Sequence, residues 1–107
     1  MIELLRYQRE DGREPFTEWL NAQRDKFAQA RIRVRLRQIE AGNFGDVEAV
    51  GEGVSELRIH IGAGYRVYFG RNGKAVVILL SGGDKGSQVA DVKRAKALWS
   101  EWKRRQS

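Results

Sequence analysis

The chain has 107 residues, 41% of them apolar and 32% charged, with a formal net charge of +6 and a pI near 10.1. That suffices for one compact domain, residues 1–107, and not for two. There is no cysteine and only 1 histidine, which excludes disulfides and thiolate metal sites and argues against a histidine-based one.

Residues 2–7 (Ile-Glu-Leu-Leu-Arg-Tyr) read as a first strand, and Asp11-Gly12 marks a turn. Glu14-Pro15 opens a helix, because proline is tolerated in a first helical turn. Phe16, Trp19 and Leu20 then fall at i, i+3, i+4 and form an apolar stripe. Residues 25–41 carry two periodicities. The run Arg-Ile-Arg-Val-Arg-Leu-Arg at 31–37 alternates as a strand would, while Ala28, Ile32, Leu36 and Ile39 make a helical stripe. Neither Gly nor Pro interrupts 25–41, and the stretch exceeds the usual length of a strand, so it predicts a helix. Gly42-Asn43 supplies the stop. Gly45-Asp46 is a loop signal, and residues 47–50 predict a short edge strand.

Residues 57–61 and 65–69 alternate apolar and polar, so Leu57, Ile59, Ile61, Val67 and Phe69 line one face of a hairpin. Arg58, His60, Arg66 and Tyr68 line the other. Pairing Ile61 with Tyr65 across Gly62-Ala63-Gly64 sets His60 opposite Arg66 and Arg58 opposite Tyr68. Asn72-Gly73 predicts a two-residue hairpin turn into a central strand at 75–80, apolar on both sides. Residues 81–86 (Ser-Gly-Gly-Asp-Lys-Gly) predict a loop. A last helix follows from Ser87 or Gln88, with Val92, Ala95, Leu98, Trp99 and Trp102 on one side.

The Arg58, His60, Arg66 and Tyr68 set suits a phosphodiester: cations for the phosphate, and two groups able to move or orient protons. Lys85, in its Gly-rich segment, adds a cation able to reach an anion. The Walker spacing is missing, which excludes nucleoside triphosphate binding by that route. The competing reading makes Arg58 and Arg66 solvated strand residues, His60 an exposed or structural histidine, and Tyr68 a packing residue. Basic residues concentrate at 24–37, with Arg31, Arg33, Arg35 and Arg37 at every second position, and at 93–105. Acidic residues gather at Asp46, Glu48, Glu52 and Glu56. A domain this basic meets nucleic acid or an acidic protein, or else carries solvated helix faces. No apolar run approaches the roughly 18 residues of a membrane span, and no signal peptide is visible, so a cytoplasmic protein is expected.

Gly-Asn-Phe-Gly-Asp at 42–46, Gly-Val-Ser-Glu-Leu-Arg-Ile at 53–59, Gly-Tyr-Arg-Val-Tyr-Phe at 64–69, Leu-Leu-Ser-Gly-Gly-Asp-Lys at 79–85 with Ser87-Gln88, and Asp-Val-Lys-Arg-Ala-Lys-Ala-Leu-Trp at 91–99 follow one another in order. Together they resemble the RelE/ParE superfamily of bacterial toxins, more narrowly its HigB-like branch, often described as addiction module killer proteins. The resemblance implies an α+β fold: a small antiparallel sheet with two N-terminal helices packed on it and a C-terminal helix. It implies a type II toxin–antitoxin system, with a helix-turn-helix antitoxin as partner. It also implies a ribosome-dependent mRNA endonuclease that needs neither metal nor cofactor and inhibits translation. In such enzymes the 2′-hydroxyl attacks the adjacent phosphate. Carried over by motif, Arg66 stabilises the pentavalent phosphorane, Arg58 and His60 lie on the strand that supplies basic residues, and Lys85 lies in the last loop. After Leu98 this chain offers neither Tyr nor His, so His60 or Tyr68 is left as acid or base. Arg31, Arg33 and Arg37 are the expected contacts to ribosomal RNA. The alternative within the superfamily is a non-catalytic, ParE-like inhibitor of DNA gyrase.

Overall fold

The computed structural model describes residues 1–106. Its elements run in the order β1 (Glu3–Arg6), α1 (Pro15–Asn21), α2 (Lys26–Glu40), β2 (Val47–Gly51), β3 (Val54–Ile59), β4 (Tyr65–Asn72), β5 (Val76–Asp84), a 3-10 turn (Lys85–Ser87) and α3 (Gln88–Gln106). The strands form one five-stranded sheet in the order β1-β5-β4-β3-β2. β2 to β5 make an antiparallel meander, and β1 joins its far edge parallel to β5. The expected α+β architecture stands, with one parallel pair added to the antiparallel sheet.

Alternation along the strands builds two cores. On one face Phe16 and Leu20 of α1 and Ile32, Leu36 and Ile39 of α2 pack on Leu57, Ile59, Val67, Phe69, Val77 and Leu79. On the other, Ala95 and Trp99 of α3 pack on Tyr7, Val54, Tyr68, Ile78 and Leu80. β5 is apolar on both sides because both sides are covered. The helical reading of 25–41 holds: Asp25 caps α2 through the Ala28 amide, and Gly42 ends it with φ +93°.

Three local expectations need correction. The β3–β4 ladder pairs Ile59, not Ile61, with Tyr65. Gly62 and Gly64 both take positive φ, and the Gly64 amide donates to the Ile61 carbonyl, so residues 60–64 all belong to the turn. Arg58 therefore faces Arg66, and Tyr68 faces Glu56. The slip is an even number of residues, so every side chain keeps its predicted face. At the next hairpin Asn72 remains in the ladder opposite Val76, leaving a turn at 73–75 rather than the two-residue turn. A type I′ turn needs positive φ at both central residues, and here Gly73 has it while Asn72 does not.

The third correction concerns 81–86. β5 continues through Ser81, Gly82, Gly83 and Asp84. The glycines serve close approach rather than a loop. A Cβ on Gly82 would lie 2.2 Å from the Trp19 ring, and one on Gly83 would meet the Asp91 carboxylate. Lys85 thus leaves the end of a rigid strand, not a flexible glycine loop.

Candidate active site

The ends of β3, β4 and β5 meet the start of α3 at one corner of the sheet. There Arg58, Ile59, His60, Gly64, Tyr65, Arg66 and Lys85 line a pocket of about 150 Å³. Four of the five residues proposed for catalysis share it: Arg58, His60, Arg66 and Lys85. Tyr68 does not. It lies fully buried in the α3-side core, and its hydroxyl has no partner among the described residues. Burial pushes its pKa up, and the neighbouring Glu56 carboxylate adds to the rise. A phenol so placed neither reaches a substrate nor gives up its proton readily.

The corner is not the cationic patch the sequence suggested, because carboxylates interleave it. Arg58 donates from Nε and Nη2 to Asp46 Oδ1, at 3.3 and 2.9 Å, and from Nη1 to Glu48 Oε2 at 2.7 Å. Arg66 donates through Nε to Glu56 Oε1 and through Nη1 to the Gly64 carbonyl. Gln88, the first residue of α3, donates its amide to both Glu56 oxygens at 3.2 Å. His60 Nε2 contacts Asp46 Oδ2. Arg58 and Arg66 are thereby paired with Asp46, Glu48 and Glu56. Two arginines directly opposite each other on adjacent strands repel, and the three carboxylates offset that repulsion. The His60 contact, and then Arg58, hold the Asp46 carboxyl below the usual range, so it is ionised at neutral pH. Its hydrogen bond to Asp46 holds the Arg58 guanidinium more firmly protonated.

No family model matches the chain. A Haemophilus influenzae protein described as an uncharacterized protein is 45% identical over 86 residues, spanning 80% of this chain and 87% of its own length. The chain belongs to the same family as that protein.

The remaining basic candidates of this family member lie elsewhere. Arg31, Arg33 and Arg37 project from α2 into solvent. Arg33 and Arg37, with Arg6 and Leu4, line a groove of about 250 Å³ between α2 and β1. α2 covers the sheet face opposite α3, so this basic set does not adjoin the pocket. Arg35, within the same alternating run, is buried and donates to the carbonyls of Arg58 and Phe44 at 2.6 and 3.1 Å. Asp46, Glu48 and Glu56, which the sequence marks only as an acidic cluster, and Gln88 also belong to the site. The signal was there, since Glu56 shares a strand face with Arg58 at i, i+2. Among the described residues no group of three or more His, Cys, Asp or Glu is arranged to hold a metal ion, and no helix is long and apolar enough to cross a membrane.

Proposed function

We propose that this protein is the toxin of a type II toxin–antitoxin module of the RelE/ParE superfamily, in its HigB-like branch, and that it cleaves ribosome-bound mRNA in the cytoplasm. The observation that carries the reading is the convergence of Arg58, His60, Arg66 and Lys85 on one small pocket. A phosphodiester seated there has its non-bridging oxygens against the guanidiniums. His60 takes the proton of the 2′-hydroxyl as the 2′-oxygen bonds to phosphorus. The bond to the 5′-oxygen breaks, and the Lys85 ammonium gives that oxygen a proton. Products are a 2′,3′-cyclic phosphate and a free 5′-hydroxyl. Arg66 stabilises the charge that develops on the phosphorane. The exposed Arg31, Arg33 and Arg37 supply sequence-independent phosphate contacts to ribosomal RNA. The partner in this reading is a helix-turn-helix antitoxin, encoded with the toxin.

A second reading, a non-catalytic inhibitor of DNA gyrase, is favoured by the carboxylates already seated on both arginines. Induction in a bacterial host followed by primer extension on mRNA, alongside a supercoiling assay with purified protein, separates the two. Discrete message ends with unimpaired gyrase support the nuclease. Intact message with loss of supercoiling supports the inhibitor.

A further inference from the structure

We infer that Asp46 is the positioning residue for His60, accepting a hydrogen bond from its Nε2–H and leaving Nδ1 as the basic atom. The inference rests on the nuclease reading for its chemistry, but its geometry stands apart from it. Asp46 Oδ2 meets His60 Nε2, while Oδ1 is held by Arg58 Nε and Nη2. The Arg58 amide also donates to the Asp46 backbone carbonyl at 3.0 Å, which fixes the residue carrying that carboxylate. An ionised carboxylate only accepts, and the position of the Asp46 pKa below its usual range keeps it ionised. Nε2 must therefore carry the hydrogen, and in the neutral ring the lone pair lies on Nδ1, which has no hydrogen-bond partner among the described residues.

His60 needs such a tether. It follows β3, sits on the five-residue turn and is 70% exposed, so its ring would otherwise sample several rotamers. The groups around it are Asp46 and Arg58 on one side, Tyr65 and Arg66 from β4, and Lys85 beyond β5, with Glu48 reached through Arg58. Asp46 is the carboxylate that touches the ring. In the proposed cleavage the 2′-hydroxyl proton passes to Nδ1, and the resulting imidazolium is stabilised by Asp46. An aspartate performs the same service for the histidine of a serine protease.

The chain has a single histidine, so one imidazole signal set in an ¹⁵N-labelled sample reports on His60 without assignment. In the neutral form of the ring, the wild type is expected to be protonated at Nε2 and bare at Nδ1, with the Nε2 proton visible. In Asp46→Ala that proton should vanish into solvent exchange and the tautomers should mix. A proton on Nδ1 in the wild type, or an Nε2 signal unchanged by Asp46→Ala, overturns the pairing. For the catalytic role, Asp46→Ala and His60→Ala should each slow cleavage of ribosome-bound mRNA by about 10²-fold, and the double variant no further. Additive losses overturn that role, as does non-additivity of Asp46→Ala with Arg58→Ala alone. A wild type that cleaves nothing sinks the nuclease reading and with it the catalytic role, while the NMR arm still decides the Asp46–His60 pairing.

Discussion

The Arg66 guanidinium is paired through Nε with Glu56, a carboxylate only 2% exposed beneath the first turn of α3. An arginine that looks like a surface cation in the sequence is thus half of a buried ion pair. Removing one partner of such a pair leaves an uncompensated charge and costs about 3–5 kcal/mol.

Arg66→Ala is therefore expected to lose both activity and stability, with cleavage falling about 10²–10³-fold. A variant that replaces the whole pair, Glu56→Leu with Arg66→Met, should recover much of the stability while staying inactive. Urea denaturation and a growth assay at matched expression measure the two effects. A toxic double variant would remove Arg66 from the site.

The four alternating arginines of α2 should divide into two classes. Arg31, Arg33 and Arg37 are exposed, so replacing all three with Glu is expected to leave the unfolding midpoint within experimental scatter. The same triple variant should weaken ribosome co-sedimentation and its salt dependence. Arg35→Ala should instead destabilise by about 1–3 kcal/mol, because the carbonyls of Arg58 and Phe44 lose a buried donor. Equal unfolding midpoints for Arg35→Ala and Arg33→Ala would contradict this division.

Gly82 is expected to tolerate nothing larger. Its missing Cβ is where the Trp19 ring lies, so Gly82→Ala should cost about 1–3 kcal/mol through displacement of that indole. Trp19 fluorescence would shift with it. Adding Trp19→Phe should relieve part of the loss, and a double variant no better than the single would show that the contact is not limiting.

Asp46 gives a pH signature. Its folded pKa is depressed, first by His60 and then by Arg58. The stability it contributes is therefore complete above the ordinary aspartate value near 3.9 and is lost as pH falls through the lower folded value. The gap in melting temperature between wild type and Asp46→Asn should be open at neutral pH and close in acid. A gap that persists unchanged at low pH would mean the carboxylate charge is not what the site uses.

Most of the architecture was legible because periodicity and burial agree here. The stripe Ala28, Ile32, Leu36 and Ile39 marked α2, and all four are buried. The alternation of Leu57, Ile59, Val67 and Phe69 marked the helix-side face of the hairpin. Register was not legible. The pattern fixes it only to an even number of residues, and the turn took Ile61 for itself. That slip hid the neighbours that matter, placing Arg58 opposite Arg66 and Glu56 opposite Tyr68. The parallel pairing of β1 with β5 was likewise out of reach, since nothing local in residues 2–7 records which strand they will meet. Gly82 and Gly83 read as a loop because the groups that require them, the Trp19 ring and the Asp91 carboxylate, are brought to them only by the fold.

The Gln88 amide on Glu56 and the Arg105 guanidinium on the Gln8 carbonyl have a consequence for biosynthesis. β3 and β4 can pair as soon as their hairpin leaves the ribosome, yet Glu56 gains its cover, and Arg66 its fixed partner, only once α3 has followed. A nascent chain stalled before residue 88 would carry the arginines without the Gln88 amide that holds Glu56 in place.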